Sequence, residues 1–235
     1  MNNSLPARIV TLCAVGLISA SAFAQTSDAA ANDDEARYTA VIEKRTQDIL
    51  VLLEFKDAAS SNRIHDVIMG QYRALNAWDE KNEAKLKELN KDANSSNAEL
   101  AAKAKNQIAA IKASKTELHD KFISSLSADL TPADVEKVKD KMTYNKVQVT
   151  YDGYCAMLPN LTDEQKAKIL AWLKEARETA MDGGSAKEKT DVFNKYKGRI
   201  NNYLSKEGYD LAAASKEWNE RIKAQKKPDT DASEK

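Results

Sequence analysis

Residues 161–211 read LTDEQKAKILAWLKEARETAMDGGSAKEKTDVFNKYKGRINNYLSKEGYDL. Punctuation signals divide this stretch. Thr162 stands three residues before Gln165, and Ser185 three before Glu188. In such a pair the first side chain accepts from a free N–H at a helix start, and the second reaches back to the capping residue's own N–H. Gly183-Gly184 and Gly208 are the stops, since glycine takes the left-handed conformation that closes many helices. Between these signals Ile169, Leu170, Leu173, Ala176 and Ala180 recur every three or four residues, as do Val192, Phe193, Tyr196, Ile200 and Leu204. That spacing gives each segment one apolar face. The stretch therefore predicts two amphipathic helices. A last one follows over about 210–225 with Leu211, Trp218 and Ile222.

The same grammar extends upstream. Thr131 can cap a short helix with Pro132 at its first position, where a missing N–H costs nothing. Tyr38, Val41, Ile42, Ile49, Leu52 and Leu53 mark a first helix over 34–55. Ile64, Val67, Ile68, Gln71, Leu75, Trp78, Leu86 and Leu89 mark a second, from near Ser61 to about 91. Ser96 and Glu99 match a capping box for a third, with Leu100, Ala104, Ile108, Ile111, Leu118, Phe122 and Leu126. The second and third read as a long antiparallel hairpin with a solvated tip. Met142–Val149 loses the helical period: Val147, Val149 and Tyr151 alternate, which predicts an ordered loop, with one or two helical turns following up to Pro159. The fold class is all-α, a single multi-helix domain of about seven helices.

With 36 basic and 36 acidic residues in 235, interleaved along the chain, nothing argues for nucleic acid. Arg8, the apolar run Ile9–Ile18 and Ala22-Phe23-Ala24 form a secretory signal pattern. Residues 1–24 are expected to be removed after Ala24, leaving a helical domain over 25–225 and a disordered tail over 226–235, with residues 25–33 also disordered. The mature chain then works in the periplasm or outside the cell. It has no integral membrane segment, because no run reaches the roughly 20 apolar residues a span needs. Cys13 leaves with the leader, so Cys155 is the only thiol and reads as a small buried hydrophobe. The sequence carries no signal for an oligomeric state.

No phosphate-binding glycine loop or dinucleotide fingerprint occurs. His65 and His119 have no second His or Cys at ligand spacing, so no metal is expected, and no cofactor. No group stands out as catalytic. The aromatic residues are the remaining clue. Sugars offer C–H faces to aromatic rings, whose polar tips hydrogen-bond, and hydroxyls to Asn, Asp and Arg. Tyr196, Arg199 and Tyr203 share one helical stripe. The candidate ligand-binding residues are Tyr144, Tyr151, Trp172, Arg177, Tyr196, Arg199, Asn202 and Tyr203. Gly198, costly by about 1 kcal/mol inside a helix, implies close approach by another helix or a ligand. The competing reading makes the tyrosines core-edge residues, with Arg199 paired to Glu175, Glu178 or Asp182.

Met142-Thr143-Tyr144, Val149-Thr150-Tyr151, Pro159-Asn160-Leu161-Thr162, Ala171-Trp172-Leu173, Glu175-Ala176-Arg177-Glu178 and Ala180-Met181-Asp182 carry a further signal. So do Lys195–Leu204, Gly208-Tyr209-Asp210-Leu211 and, upstream, Gln71-Tyr72-Arg73. Together they resemble an exported bacterial family known as domain of unknown function 3826. The resemblance implies a helical secreted protein tied to polysaccharide utilisation, with an oligosaccharide or polysaccharide ligand and no established catalytic residues. Two alternatives stay open. Leu161–Gln165 resembles the Leu-Thr-x-x-Gln motif of small periplasmic chaperones. Tyr, Arg and carboxylate groups could also serve a sugar hydrolase or lyase.

Overall fold

The computed structural model describes residues 21–225, with side chains from residue 33 onward. Arg8, the apolar run Ile9–Ile18 and residues 226–235, on which the export and tail expectations rest, lie outside them. Eight helices are present among the described residues: α1 (Ser21–Leu50), α2 (Ala58–Ala93), α3 (Ala98–Ser127), α4 (Pro132–Met142), α5 (Lys146–Met157), α6 (Asp163–Met181), α7 (Ala186–Lys206) and α8 (Leu211–Gln225). The chain divides into two compact units, Met1–Val41 and Ile42–Lys235. In the first, Arg37 pairs with Asp33 and Asp34 across exposed helical turns. The second holds the last turns of α1 and all later helices. No described helix is long and apolar enough to cross a membrane.

Local chemistry sets the helix starts. Thr131 Oγ1 accepts from the Asp134 N–H, with Pro132 in the first turn of α4. Thr162 with Gln165, and Ser185 with Glu188, form complete capping boxes. Asp57 caps α2 by accepting from the Ser60 N–H, four residues before the expected start at Ser61. At α3 the cap is Asn97, whose Oδ1 accepts from Glu99 and Leu100. Ser96 fits the capping formula equally well, but the asparagine one residue later takes both free donors. α1 begins at Ser21 and ends at Leu50. It takes in residues 25–33, expected to be disordered, where the alanines favour helix.

The main departure is α5. Residues 142–149 were expected to form a loop, yet a helix starts at Lys146. The alternation of Val147, Val149 and Tyr151 misleads. Val147, Tyr154 and Leu158 are buried and Tyr151 half-buried, a three-to-four spacing, while Val149 is 68% exposed. The corner between α4 and α5 is a Schellman motif: the Asn145 N–H donates to Asp140 O at 2.8 Å and Tyr144 N–H to Lys141 O at 3.1 Å. Its left-handed residues are Tyr144 (φ 59°) and Asn145 (φ 53°). The motif ending α7 is built alike, from Tyr209 N–H to Leu204 O and Gly208 N–H to Ser205 O, with Gly208 at φ 94°. Tyrosine thus holds in α4 the position glycine holds in α7. For a residue with a Cβ that conformation costs about 1–2 kcal/mol.

Gly183 and Gly184 do not adopt the expected left-handed conformation; Gly208 is the positive-φ glycine among the described residues. Gly184 serves close approach instead. A Cβ there would collide with the Asp79 carboxylate of α2. Asp79 accepts from Lys115 Nζ of α3 at 2.8 Å, and that ammonium lies 4.4 Å from the Trp78 ring centroid. Gly184→Ala must push Asp79 off this pair. We expect a loss of about 1–2 kcal/mol in urea unfolding; an unchanged midpoint would show that Asp79 yields freely.

α2 and α3 run antiparallel, tied by Trp78–Ser114 and Asp79–Lys115, with Arg63 of α2 reaching Asp129 in the turn after α3. α6 and α7 also pack together, with α5 against α6 and α8 against α5 and α7. Their shared core contains Val147, Tyr154, Leu158, Leu161, Ile169, Leu173, Ala176, Phe193, Ile200 and Leu204. Apolar residues meet inside this layer, with Trp172, Tyr196 and Tyr203 packed half-buried against its rim, so the outer edges of α6 and α7 carry their longer polar side chains outward.

Candidate ligand-binding groove

On α6, Lys168, Trp172 and Glu175 follow at four and three residues, on one face. On α7, Tyr196, Arg199 and Tyr203 do the same, with Lys195, Asn202 and Lys206 beside them. The helices are antiparallel, so the stripes meet. A groove of about 820 Å³ lies there, lined by Trp172, Glu175, Lys195, Tyr196, Gly198, Arg199, Asn202, Tyr203 and Lys206. That volume is within the range of small-molecule sites.

Tyr196 Oη donates to Glu175 Oε1 at 2.8 Å, and Arg199 Nη1 to Glu175 Oε2 at 3.2 Å. Partial burial, then the Glu175 carboxylate, push the Tyr196 phenol above its ordinary value. Trp172 and Tyr203 meet edge to face with centroids 5.4 Å apart. Arg199 lies 4.5 Å from the Trp172 ring centroid, and Lys168 Nζ lies 4.3 Å from that of Tyr203. Lys195, Arg199 and Lys206 line the groove with one acid, Glu175, while Glu164 and Glu207 lie near Tyr203. Below the groove Tyr154 Oη donates to Asn201 Oδ1 at 2.6 Å, fixing α5 to α7. Burial pushes that phenol up to about 12.

Five of the eight candidate residues (Trp172, Tyr196, Arg199, Asn202 and Tyr203) therefore line one groove. Tyr151 is half-buried against the core, near Cys155, which is also half-buried. Arg177 lies within the protein, its side chain 3% exposed, bound to Asp140, Glu136 and Glu178. Tyr144 lines a separate cavity with Lys189. Lys168, Lys195 and Lys206 escaped the sequence reading because a lysine on a polar helix face is ordinarily just solvated; their register with Trp172 and Tyr203 was the available signal. A Cβ at Gly198 would meet nothing within 4 Å, so no neighbouring helix approaches it. Gly70 and Gly153 are equally open, which makes Gly198 a useful place to probe the groove more than a sign of it.

No curated protein matches the chain. A family model described as "Protein of unknown function (DUF3826)" matches residues 39–224. The match spans most of the chain and every helix that frames the groove, and the protein belongs to this family.

Proposed function

We propose that this is an exported, non-catalytic carbohydrate-binding protein serving polysaccharide utilisation, with an acidic oligosaccharide held in the α6–α7 groove. One observation carries the reading: Trp172, Tyr196 and Tyr203 share a groove with Asn202, Glu175 and an excess of cations. Rings offer faces to sugar C–H groups, Asn202 and Glu175 offer hydrogen bonds to hydroxyls, and the lysines and Arg199 favour uronate carboxylates. The leader pattern of Arg8, Ile9–Ile18 and Ala22-Phe23-Ala24 supports export.

The test is a thermal-shift screen of residues 25–235 against uronate and neutral oligosaccharides. A ligand of the folded state raises the melting temperature by mass action, and uronates should do so more than neutral chains. Gly198→Leu separates site from scaffold. Leucine has the better helix propensity by nearly 1 kcal/mol and projects into the open groove. We expect stability equal to or above wild type with affinity reduced at least about tenfold, or about 1.4 kcal/mol. A flat screen would make the aromatic stripe structural, and undiminished binding by Gly198→Leu would move the site elsewhere.

A further inference from the structure

A second cavity, of about 260 Å³, lies at the α4–α5 corner, away from the groove's residues. Its walls are Arg45, Asp48 and Ile49 of α1, Tyr72 of α2, Lys141 and Met142 of α4, Tyr144 and Asn145 of the corner, and Lys189 of α7. It is smaller than an ordinary drug-sized site and fits one compact molecule.

Lys189 is 2% exposed. Its Nζ donates to Met142 O at 3.1 Å and Met181 O at 3.2 Å, binding the ends of α4 and α6. Two donors are all a neutral amine has. The ammonium has three, and a third N–H needs an acceptor. Arg45 and Lys141 also line the cavity, against one acid, Asp48. Tyr144 is the second indication. It holds the glycine position of the Schellman motif at φ 59°, and the residue is 43% exposed and lines the cavity. The backbone gains nothing from a tyrosine there; the cavity gains a ring. Strain of this kind gathers at binding sites.

We propose that this cavity binds a small organic monocarboxylate, its carboxylate between Arg45, Lys141 and Lys189 and its body against Tyr144, Tyr72 and Ile49. Asp48 disfavours a dianion, and the apolar walls favour an organic acid over an inorganic ion. Burial first, then Arg45 and Lys115, lower the Lys189 ammonium to about 8, against the pull of Asp182 and Glu188. Lys141 and Asp48 face the same cavity. A bound carboxylate restores the proton, so affinity falls as pH rises from 8 to 10.

Calorimetry and melting curves of the mature chain with acetate, benzoate and galacturonate test this. Benzamide and galactose are the uncharged matches, and sodium sulfate holds ionic strength. The Gly198→Leu background removes the groove's contribution. At least one carboxylate should bind where its uncharged match and sulfate do not. Tyr144→Gly relieves the strained backbone, so it should melt at or above wild type while weakening the carboxylate at least tenfold. Lys141→Met, at a half-buried position, should weaken it comparably. No response to all three acids up to about 20 mM, well below millimolar affinity, overturns the proposal. So does an equal response to sulfate, or unaltered binding by both variants.

Discussion

Alanine in place of Arg177 is expected to lower the melting temperature by roughly 10 °C, the largest loss at any charged position. The guanidinium is 3% exposed and forks between α4 and its own helix, with Nη1 to Asp140 at 2.7 Å and Nη2 to Glu136 at 2.6 Å and Glu178 at 3.0 Å. Lys139 shares Glu178 at 2.9 Å, and His119 reaches Asp182 at 3.1 Å. Breaking a buried pair from one side costs about 3–5 kcal/mol, because the partner charges stay behind. Here the three carboxylates are 36–44% exposed and partly rehydrate, which points to the lower end, about 3 kcal/mol. In a chain of this size each kcal/mol moves the midpoint by about 2–4 °C. Arg177→Lys should recover only part, since an ammonium cannot fork.

The pH dependence gives that result a second dimension. Burial would raise the Glu136 carboxyl, but the Arg177 hydrogen bond and charge outweigh it and hold it below the ordinary 4.5. A carboxyl lowered by folding contributes stability that is fully present above its unfolded value and is lost as pH falls through its folded one. The gap between wild type and Arg177→Ala should therefore be widest near pH 7 and narrow below pH 4.5 as Glu136 protonates. Urea unfolding at pH 7 and pH 3.5 measures both ends. A gap near zero at pH 7 would mean that the network behaves like a surface one, and a gap that widens in acid would reverse the assigned sign.

Arg177 also marks where the sequence stops being legible. Its partners Asp140 and Glu136 lie 37 and 41 residues away, and no local pattern announces them. The caps at Thr131, Thr162 and Ser185 were readable because both partners sit within three residues. At α3 the local code was degenerate, offering Ser96 and Asn97 as adjacent caps. The α5 start failed for another reason. Tyr144 and Asn145 make a left-handed corner without the glycine that would have announced it, so the start of the second helix looked like a loop followed by only one or two helical turns. The groove was half legible. The stripe of Tyr196, Arg199 and Tyr203 follows from the helical period, and so does Trp172's place on α6. That the two stripes meet depends on the antiparallel packing of α6 on α7, which follows from the turn at 182–185 and the shared core.

The second large effect is Phe193→Ala, on the core-facing side of the helix that carries the groove. Phe193 is 1% exposed and belongs to the core with Ile169, Leu173, Ile200 and Leu204. Truncating a buried phenylalanine removes its transfer free energy and leaves a cavity, together about 3–5 kcal/mol. Tyr196 lies one turn away, yet its position differs in kind. It is half-buried, and its hydroxyl serves Glu175, which retains Arg199 when the phenol is gone. Tyr196→Ala should cost only about 1 kcal/mol, the worth of one hydrogen bond and partial packing. Urea unfolding of both variants, with unchanged dependence on denaturant so that the native and unfolded states remain comparable, should separate them by at least about 2 kcal/mol. That difference decides between the two readings of the tyrosine stripe. If Tyr196→Ala proves as costly as Phe193→Ala, the stripe belongs to the core and the groove loses one wall. If the costs separate, α7 has a face that holds the fold and another that the fold leaves free, and loss of sugar binding in Tyr196→Ala can be read as loss of contact and not of structure.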